Sequence, residues 1–222
     1  LGYDTVWGND HVTPATYARQ KWLKSPNFYE VLITLATVGA HTTRVRLGTA
    51  VLVLPLRDPV LLAKQISTLD NFTGGRVVLG TGIGAYREEF DAQWPRRNRE
   101  RRGSLLDESL EALRRLFHDA NATYEGRHIA FRDIAMSPKP VQDPLPIFVG
   151  GHNKATIRRA AQLGQGWLPG WRPFDQIVER TALLRQLTEA GGRHPRDVEA
   201  CSQFTLYIGK TVEEARSRYR KT

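Results

Sequence analysis

RVRLGTAVLVLPLRDPVLLAKQISTLDNFTGGRVVLGTGIG, residues 44–84, reads as a complete strand–helix–strand unit that ends in a glycine-rich turn. Val45 to Leu54 is apolar and β-branched almost throughout, the composition of a parallel strand buried on both faces. Asp58 stands where its carboxylate can cap free helical amides, and Pro59 suits the first helical position. Leu62, Ile66 and Leu69 recur at helical spacing and give that helix one buried stripe, which Thr73-Gly74-Gly75 ends. A second buried strand, Arg76 to Leu79, runs into Gly80-Thr81-Gly82-Ile83-Gly84. The helical crossover makes the two strands parallel, with a right-handed connection.

Working outward, YDTVW (Tyr3 to Trp7) predicts a short strand whose C-terminal end carries Gly8-Asn9-Asp10-His11. A polar, proline-interrupted insertion covers Val12 to Ser25. Asn27 is the expected cap of a helix from Phe28 to Thr42 with Val31, Leu35 and Val38 on its buried side. Beyond Gly84, an acidic turn from Tyr86 to Phe90 gives way to the arginine-rich WPRRNRERRG. Ser104 to Asp107 reads as a capping box for a helix reaching His118. ATYEGRHIAFRDI predicts a β-hairpin turning at Gly126-Arg127, and PKPVQDPLP an extended connector. Strands are expected at Ile147 to Val149, Gly166 to Pro169 and Glu199 to Ile208. Helices follow near Asn153, from Phe174 to about Glu189, and after Thr211.

Six strands alternating with helices, without an internal repeat, mean an α/β fold, either an open doubly wound sheet or a (β/α)8 barrel. The 222 residues, 41% hydrophobic, suffice for one domain, here 1–222, with an insertion around 84–103 and the hairpin around 122–135. No apolar run approaches the roughly 20 residues that span a bilayer, and no signal-peptide pattern opens the chain. A cytoplasmic protein with no membrane partner is the expectation. The single cysteine, Cys201, excludes an internal disulfide framework and a multi-thiolate metal site; it reads as a small strand residue. No metal site is expected. The chain opens at Leu1 without a methionine and closes at Thr222 inside an unfinished helical pattern, so residues are expected to be missing at both ends.

The net charge of +9 leaves anionic partners open, nucleic acid and phosphorylated cofactors alike. Arg96, Arg97, Arg99, Arg101 and Arg102 come without an aromatic RNA-binding motif, a recognition helix or a zinc site. They read as a solvated or cofactor-contacting loop, and no nucleic-acid partner is expected. Polar and glycine-rich positions fall consistently after the strands: Asn9 to His11, Gly80 to Gly84, Gly150 to Asn153 and Trp167 to Gly170. In a parallel α/β fold these loops share one face, which is the ligand-binding face. Gly150-Gly151 before a helix start would suit a phosphate. Gly80 to Gly84 departs from a dinucleotide fingerprint, because its third glycine comes one position early and no ribose-binding acid follows.

The run from Arg46 to Phe90, RLGTAVLVLPLRDPVLLAKQISTLDNFTGGRVVLGTGIGAYREEF, resembles the luciferase-like monooxygenase superfamily, especially its deazaflavin-dependent oxidoreductase branch. The likeness continues through WGNDHV, RRGSLLDESLEALRRLF and SPKPVQDPLPIFVGGHNKATIRRAAQLGQGWLP. It implies a (β/α)8 barrel of which this chain holds strands two to seven, and a homodimer. It implies hydride transfer between coenzyme F420 and a small organic substrate, or, alternatively, an FMN-dependent monooxygenase using reduced flavin and oxygen. It places Asp10 and His11 beside the cofactor ring, and a non-proline cis peptide at Ala50-Val51, flanked by Thr49, as a bulge under that ring. Gly82 and Gly84 would line the mouth. Gly150, Gly151, His152, Asn153 and Thr156 resemble the phosphate-binding corner. Ile83 stands where luciferase-type flavin proteins place an arginine, and Ala85 where the sugar-phosphate dehydrogenase branch places a catalytic glutamate.

His11 is the acid–base candidate, since imidazole can titrate near neutral pH, and Asp10 would orient it or a cofactor hydroxyl. Glu88 and Glu89 read as a solvated helix turn, with the mouth of the fold as the alternative. His41, His118, His128 and His194 read as structural or solvated. Trp7, Trp167 and Trp171 are open between pocket wall and core.

Overall fold

The computed structural model describes residues 2–21, 26–95 and 101–220. Strand β1 (Thr5–Gly8) leads through helix α1 (Thr16–Lys21) to helix α2 (Val31–Ala40). Strands β2 (Arg46–Thr49) and β3 (Leu52–Val53) precede helix α3 (Pro59–Thr73) and strand β4 (Val77–Gly82). Helices α4 (Arg87–Gln93) and α5 (Arg102–His118) follow, then the antiparallel hairpin β5 (Ala122–Glu125) and β6 (Ala130–Ile134). The chain continues through β7 (Ile147–Gly150), α6 (Lys154–Leu163), β8 (Gly166–Leu168), α7 (Phe174–Ala190), β9 (Glu199–Ala200) and α8 (Val212–Arg220). Among the described residues, no helix is long and apolar enough to cross a membrane.

The main sheet runs β1-β2-β4-β7-β8-β9 with β3 also on β4, and every pairing in it is parallel. Each strand adds beside the one before it in sequence. A doubly wound sheet reverses its order at a switch point, so this succession is that of a (β/α)8 barrel, of which six parallel strand positions are present.

Side chains alternate between two layers, as the strand period requires. Leu47, Val77, Leu79, Ile147, Val149 and Trp167 face the helices and join the main core with Leu35, Ile66, Leu110 and Ile157. Val78, Phe148 and Leu168 form a second cluster, joined by Ala50, Val51 and Cys201. Glycines make room for this second layer. A Cβ on Gly48 would overlap the Trp7 ring, and one on Gly166 the ring of Phe148.

The helix in the central unit is held as its sequence predicts. Asp58 accepts from the Leu61 amide at 2.9 Å, and Gly74 ends the helix in the left-handed region at φ 66°. Below the sheet, at the N-terminal ends of the strands, Asp70 and Arg76 are saturated. Asp70 accepts from the amides of Val77 (3.3 Å), Val141 (2.8 Å) and Gln142 (3.0 Å), and from Gln142 Nε2 (2.8 Å). Arg76 donates to the carbonyls of Thr73, Val45, Gly39 and Thr42, and to the Thr42 hydroxyl.

Several sequence expectations are corrected. Glu30, not Asn27, caps α2, because its longer side chain reaches the Ile33 amide at 2.8 Å. Ser104 is not a cap: α5 begins earlier, Ser104 Oγ donates to the Arg101 carbonyl, and Asp107 is engaged by Arg159. Tyr86 to Phe90 is not a turn but the start of α4. The strand expected from Glu199 to Ile208 pairs only at Glu199–Ala200, since β9 has a neighbour on one side only. Within the arginine run, 96–100 lie outside the described residues. Arg102 is a strut: it donates to the Gly84 carbonyl at 2.8 Å and sits 5.2 Å from the Phe90 ring centre.

Candidate functional site

The loops after β1, β3, β4, β7 and β8 open on one face of the sheet, and the Ala50-Val51 peptide there is cis. From Gly48 to Leu52 the β2–β3 position uses one residue more than β4 does from Val78 to Thr81, the count of a bulge. Val51 fills a slot left by two glycines. A Cβ on Gly82 would stand 2.6 Å from Val51 Cγ2, and one on Gly150 would overlap Val51 Cγ1. Thr49 is spent inside the sheet, its hydroxyl donating to the Gly80 carbonyl at 2.7 Å. Gly84 is a turn residue at φ 75°. Beside the bulge lies a cleft of ≈ 420 Å³ whose walls include Trp7, Ala50, Leu168, Trp171, Cys201 and Phe204. Trp167 is fully buried on the helix side, its indole N–H donating to the Gly151 carbonyl at 2.7 Å. Burial first, and Glu199 second, push the Cys201 thiol up from its ordinary pKa, with Arg46 opposing.

Asp10 and His11 are adjacent in sequence but have different partners. Asp10, 5% exposed, accepts from the Val53 amide at 3.0 Å and from Arg57 Nη2 at 2.6 Å. Arg57 also reaches Glu30 at 2.9 Å. Burial opposes the charge on Arg57, but Asp10 and Glu30 outweigh it and hold the guanidinium pKa above its ordinary value. Asp10 therefore ties the loop after β1 to the loop after β3. His11 pairs instead with Glu89, Nδ1 to Oε1 at 3.2 Å, and Glu89 also accepts from the Val12 amide at 3.0 Å. Glu89 is 1% exposed, which overturns its reading as a solvated residue; the solvent-side position on α4 belongs to Glu88, which holds Thr16. The His11 ring lies 4.5 Å from Phe28 and 5.7 Å from Tyr86, centre to centre. His11 and Asp10 line a cleft with Phe28, Arg57 and Gln93.

At the start of α6, Asn153 caps the helix by accepting from the Thr156 amide (2.8 Å) and hydroxyl (3.1 Å). The Gly151 amide is not free for an anion, because it donates to the Leu168 carbonyl at 3.0 Å. A donor site remains. His152 Nδ1 and Arg180 Nη1 are buried without a hydrogen-bond partner. Burial first, then the positive fields of Arg172 and Arg180, hold the His152 pKa below its ordinary value.

Arg57, Arg172 and Arg180 are site residues that sequence reasoning missed, and Glu89 entered it only as the alternative to a solvated turn. The spacing of Tyr86, Glu89 and Phe90 was the available signal for Glu89, since it puts an acid beside a buried aromatic on one helix face. Nothing local marked the others, which meet the site only through the fold.

A family model described as luciferase-like monooxygenase matches residues 1–222. The chain is 34% identical over 198 residues to the uncharacterized protein Rv0940c of Mycobacterium tuberculosis (strain ATCC 25618 / H37Rv), covering 88% of this chain and 67% of that protein. It is 27% identical over 217 residues to the F420-dependent glucose-6-phosphate dehydrogenase of Kineococcus radiotolerans, covering 96% of this chain and 62% of that one. The crystal structure of monooxygenase RslO1 from Streptomyces bottropensis superposes with a TM-score of 0.83 at 26% identity, over 99% of this chain and 65% of that chain. The chain thus spans about two thirds of the length of these relatives.

Proposed function

Since the chain belongs to the luciferase-like monooxygenase family, we propose that it serves an oxidoreductase that exchanges hydride between coenzyme F420 and a small organic substrate at the mouth of the barrel. The observation that carries the cofactor choice is Ile83, a partly buried side chain packed on the main core where the resemblance puts a flavin-phosphate arginine. The residues present fit such a group. Ala50, Leu168 and Trp7 offer an apolar floor and wall, and the unmet donors of His152 and Arg180 suit a phosphate. Gly82, Gly150 and Thr49 act one step back, by shaping the strand that carries Ala50 and Val51. Gly151, Asn153 and Thr156 shape the phosphate corner through the turn and the helix cap.

When bound, the deazaflavin supplies the ring carbon that takes or gives the hydride. The chain supplies orientation, an apolar wall and His11, which takes a proton from the substrate or returns one. Asp10 contributes by fixing the loop that carries His11. Spectroscopic titration with F420 and with FMN tests the assignment. Saturable F420 binding is expected, and tight FMN binding without F420 binding overturns it in favour of a reduced-flavin monooxygenase, the reading that the likeness to RslO1 supports.

The same family membership supports a homodimer. Exposed Tyr29, just before α2, Ile33 within it, and Leu61 and Phe72 on α3 put apolar side chains on the outside of two packed helices. Sedimentation should find two copies, and Ile33→Glu with Phe72→Glu should yield the monomer.

A further inference from the structure

We propose that Glu89 is the positioning residue of the site: it holds the His11 proton on Nδ1 and leaves Nε2 as the free lone pair, an inference that rests on the role given to His11 above. An ionised carboxylate accepts hydrogen bonds and donates none. Glu89 Oε1 already takes the Val12 amide at 3.0 Å, so its 3.2 Å approach to His11 Nδ1 is attractive only when that nitrogen carries hydrogen. The opposite tautomer would set a nitrogen lone pair against a buried carboxylate oxygen. Phe28 flanks the ring on one side and Tyr86 on another.

The other charged groups nearby are committed elsewhere. Asp10 and Glu30 share Arg57, and Glu88 holds the Thr16 amide and hydroxyl. Glu89 is therefore the carboxylate that touches His11 among the described residues. It also explains why an acid is buried at the start of α4, where solvent would otherwise be its natural place. With Nδ1–H fixed, neutral His11 presents Nε2 as a base. When Nε2 takes a proton, the imidazolium faces a carboxylate that is already in place, with no reorganisation. The pairing joins the loop after β1 to the helix after β4, so the tautomer is set by the fold and not by the bound molecule.

The test is the nitrogen-15 spectrum of histidine-labelled protein without any ligand, with the His11 signals assigned by their loss in His11→Asn. The neutral ring should be the Nδ1–H form in the wild type. Glu89→Gln keeps an acceptor oxygen and should retain that form, whereas Glu89→Leu should lose it in favour of the Nε2–H form that free histidine prefers. An Nε2–H ring in the wild type overturns the proposal even if Glu89→Leu fails to fold, and so does an unchanged Nδ1–H ring in folded Glu89→Leu. Adding F420 to the same samples keeps the two readings apart. Absent F420 binding sinks the cofactor assignment and leaves the tautomer result standing.

Discussion

The two rims of the sheet handle polar groups in opposite ways. On the lower rim Asp70 and Arg76 find a partner for nearly every oxygen and nitrogen, and Lys139 donates to the carbonyls of Leu116 (2.7 Å) and Asp119 (2.6 Å). Arg193 does the same for the carbonyls of Ala161 and Gly164, both at 2.8 Å. On the upper rim His152 Nδ1 and Arg180 Nη1 are buried with nothing to bond. A buried donor without a partner costs about 1–3 kcal/mol, and under the function proposed above a bound anion would meet these two. Barrels divide stability and function between their faces in this sense. The His11–Glu89 pair and the Asp10–Arg57–Glu30 chain show that the upper rim is not loosely built elsewhere.

The largest test of the contrast is Asp70→Ala. It strips four hydrogen bonds from one buried carboxylate and leaves three amides unpaired, so the loss of stability should reach about 3–5 kcal/mol by chemical denaturation. Asp70→Asn keeps acceptor oxygen and should lose less than half of that. Gly82→Ala comes next. Its Cβ would press on Val51, at a cost of roughly 1–3 kcal/mol as overpacking. Adding Val51→Ala should restore part of it, and a double variant no better than the single one would mean that the glycine does not serve that side chain. Smaller still in stability is Arg180→Met on the upper rim. The substitution removes an unmet donor, so the folded state should change by no more than about 0.5 kcal/mol, while affinity for F420 drops about tenfold or more through a lost charge-assisted bond. A large stability loss there would erase the distinction between the rims.

Most of the fold was legible in the sequence because its signals are local. The Asp58 cap, the Gly74 stop and the apolar runs at Leu47 and Val77 each act within a few residues, and sequential parallel pairing follows from them. The resemblance supplied what periodicity could not, the barrel and the Ala50-Val51 peptide. The candidate site was legible in outline only. His11 and His152 could be named, but their partners come from elsewhere in the chain: Glu89 lies 78 residues from His11, and Arg180 reaches the corner from another helix. Nothing near Asp10 announces its partner Arg57 either. Cap choice failed where side-chain length decided, as at Glu30, and the strand after Ala200 failed where β alternation had no neighbour to pair with.

The smallest expected effect is also the one that reads the open corner most directly. His152 has a folded pKa below its ordinary 6.5, chiefly through burial and then through Arg172 and Arg180. The unfolded chain therefore binds a proton at His152 more readily than the folded one does. Its contribution to stability is unfavourable below about pH 6.5, grows as pH falls toward the folded pKa, and vanishes above. Denaturation midpoints of wild type and His152→Gln should coincide at pH 8, and the variant should fall less steeply toward pH 5. Because the ring is partly exposed, solvent keeps the difference small. A bound anion reverses the sign: with phosphate between His152 and Arg180 the protonated ring becomes the favoured partner, and the wild type should then hold its stability into acid better than the variant. Identical pH profiles for the two proteins, with and without phosphate, would show that the unmet donors of the upper rim are not waiting for an anion.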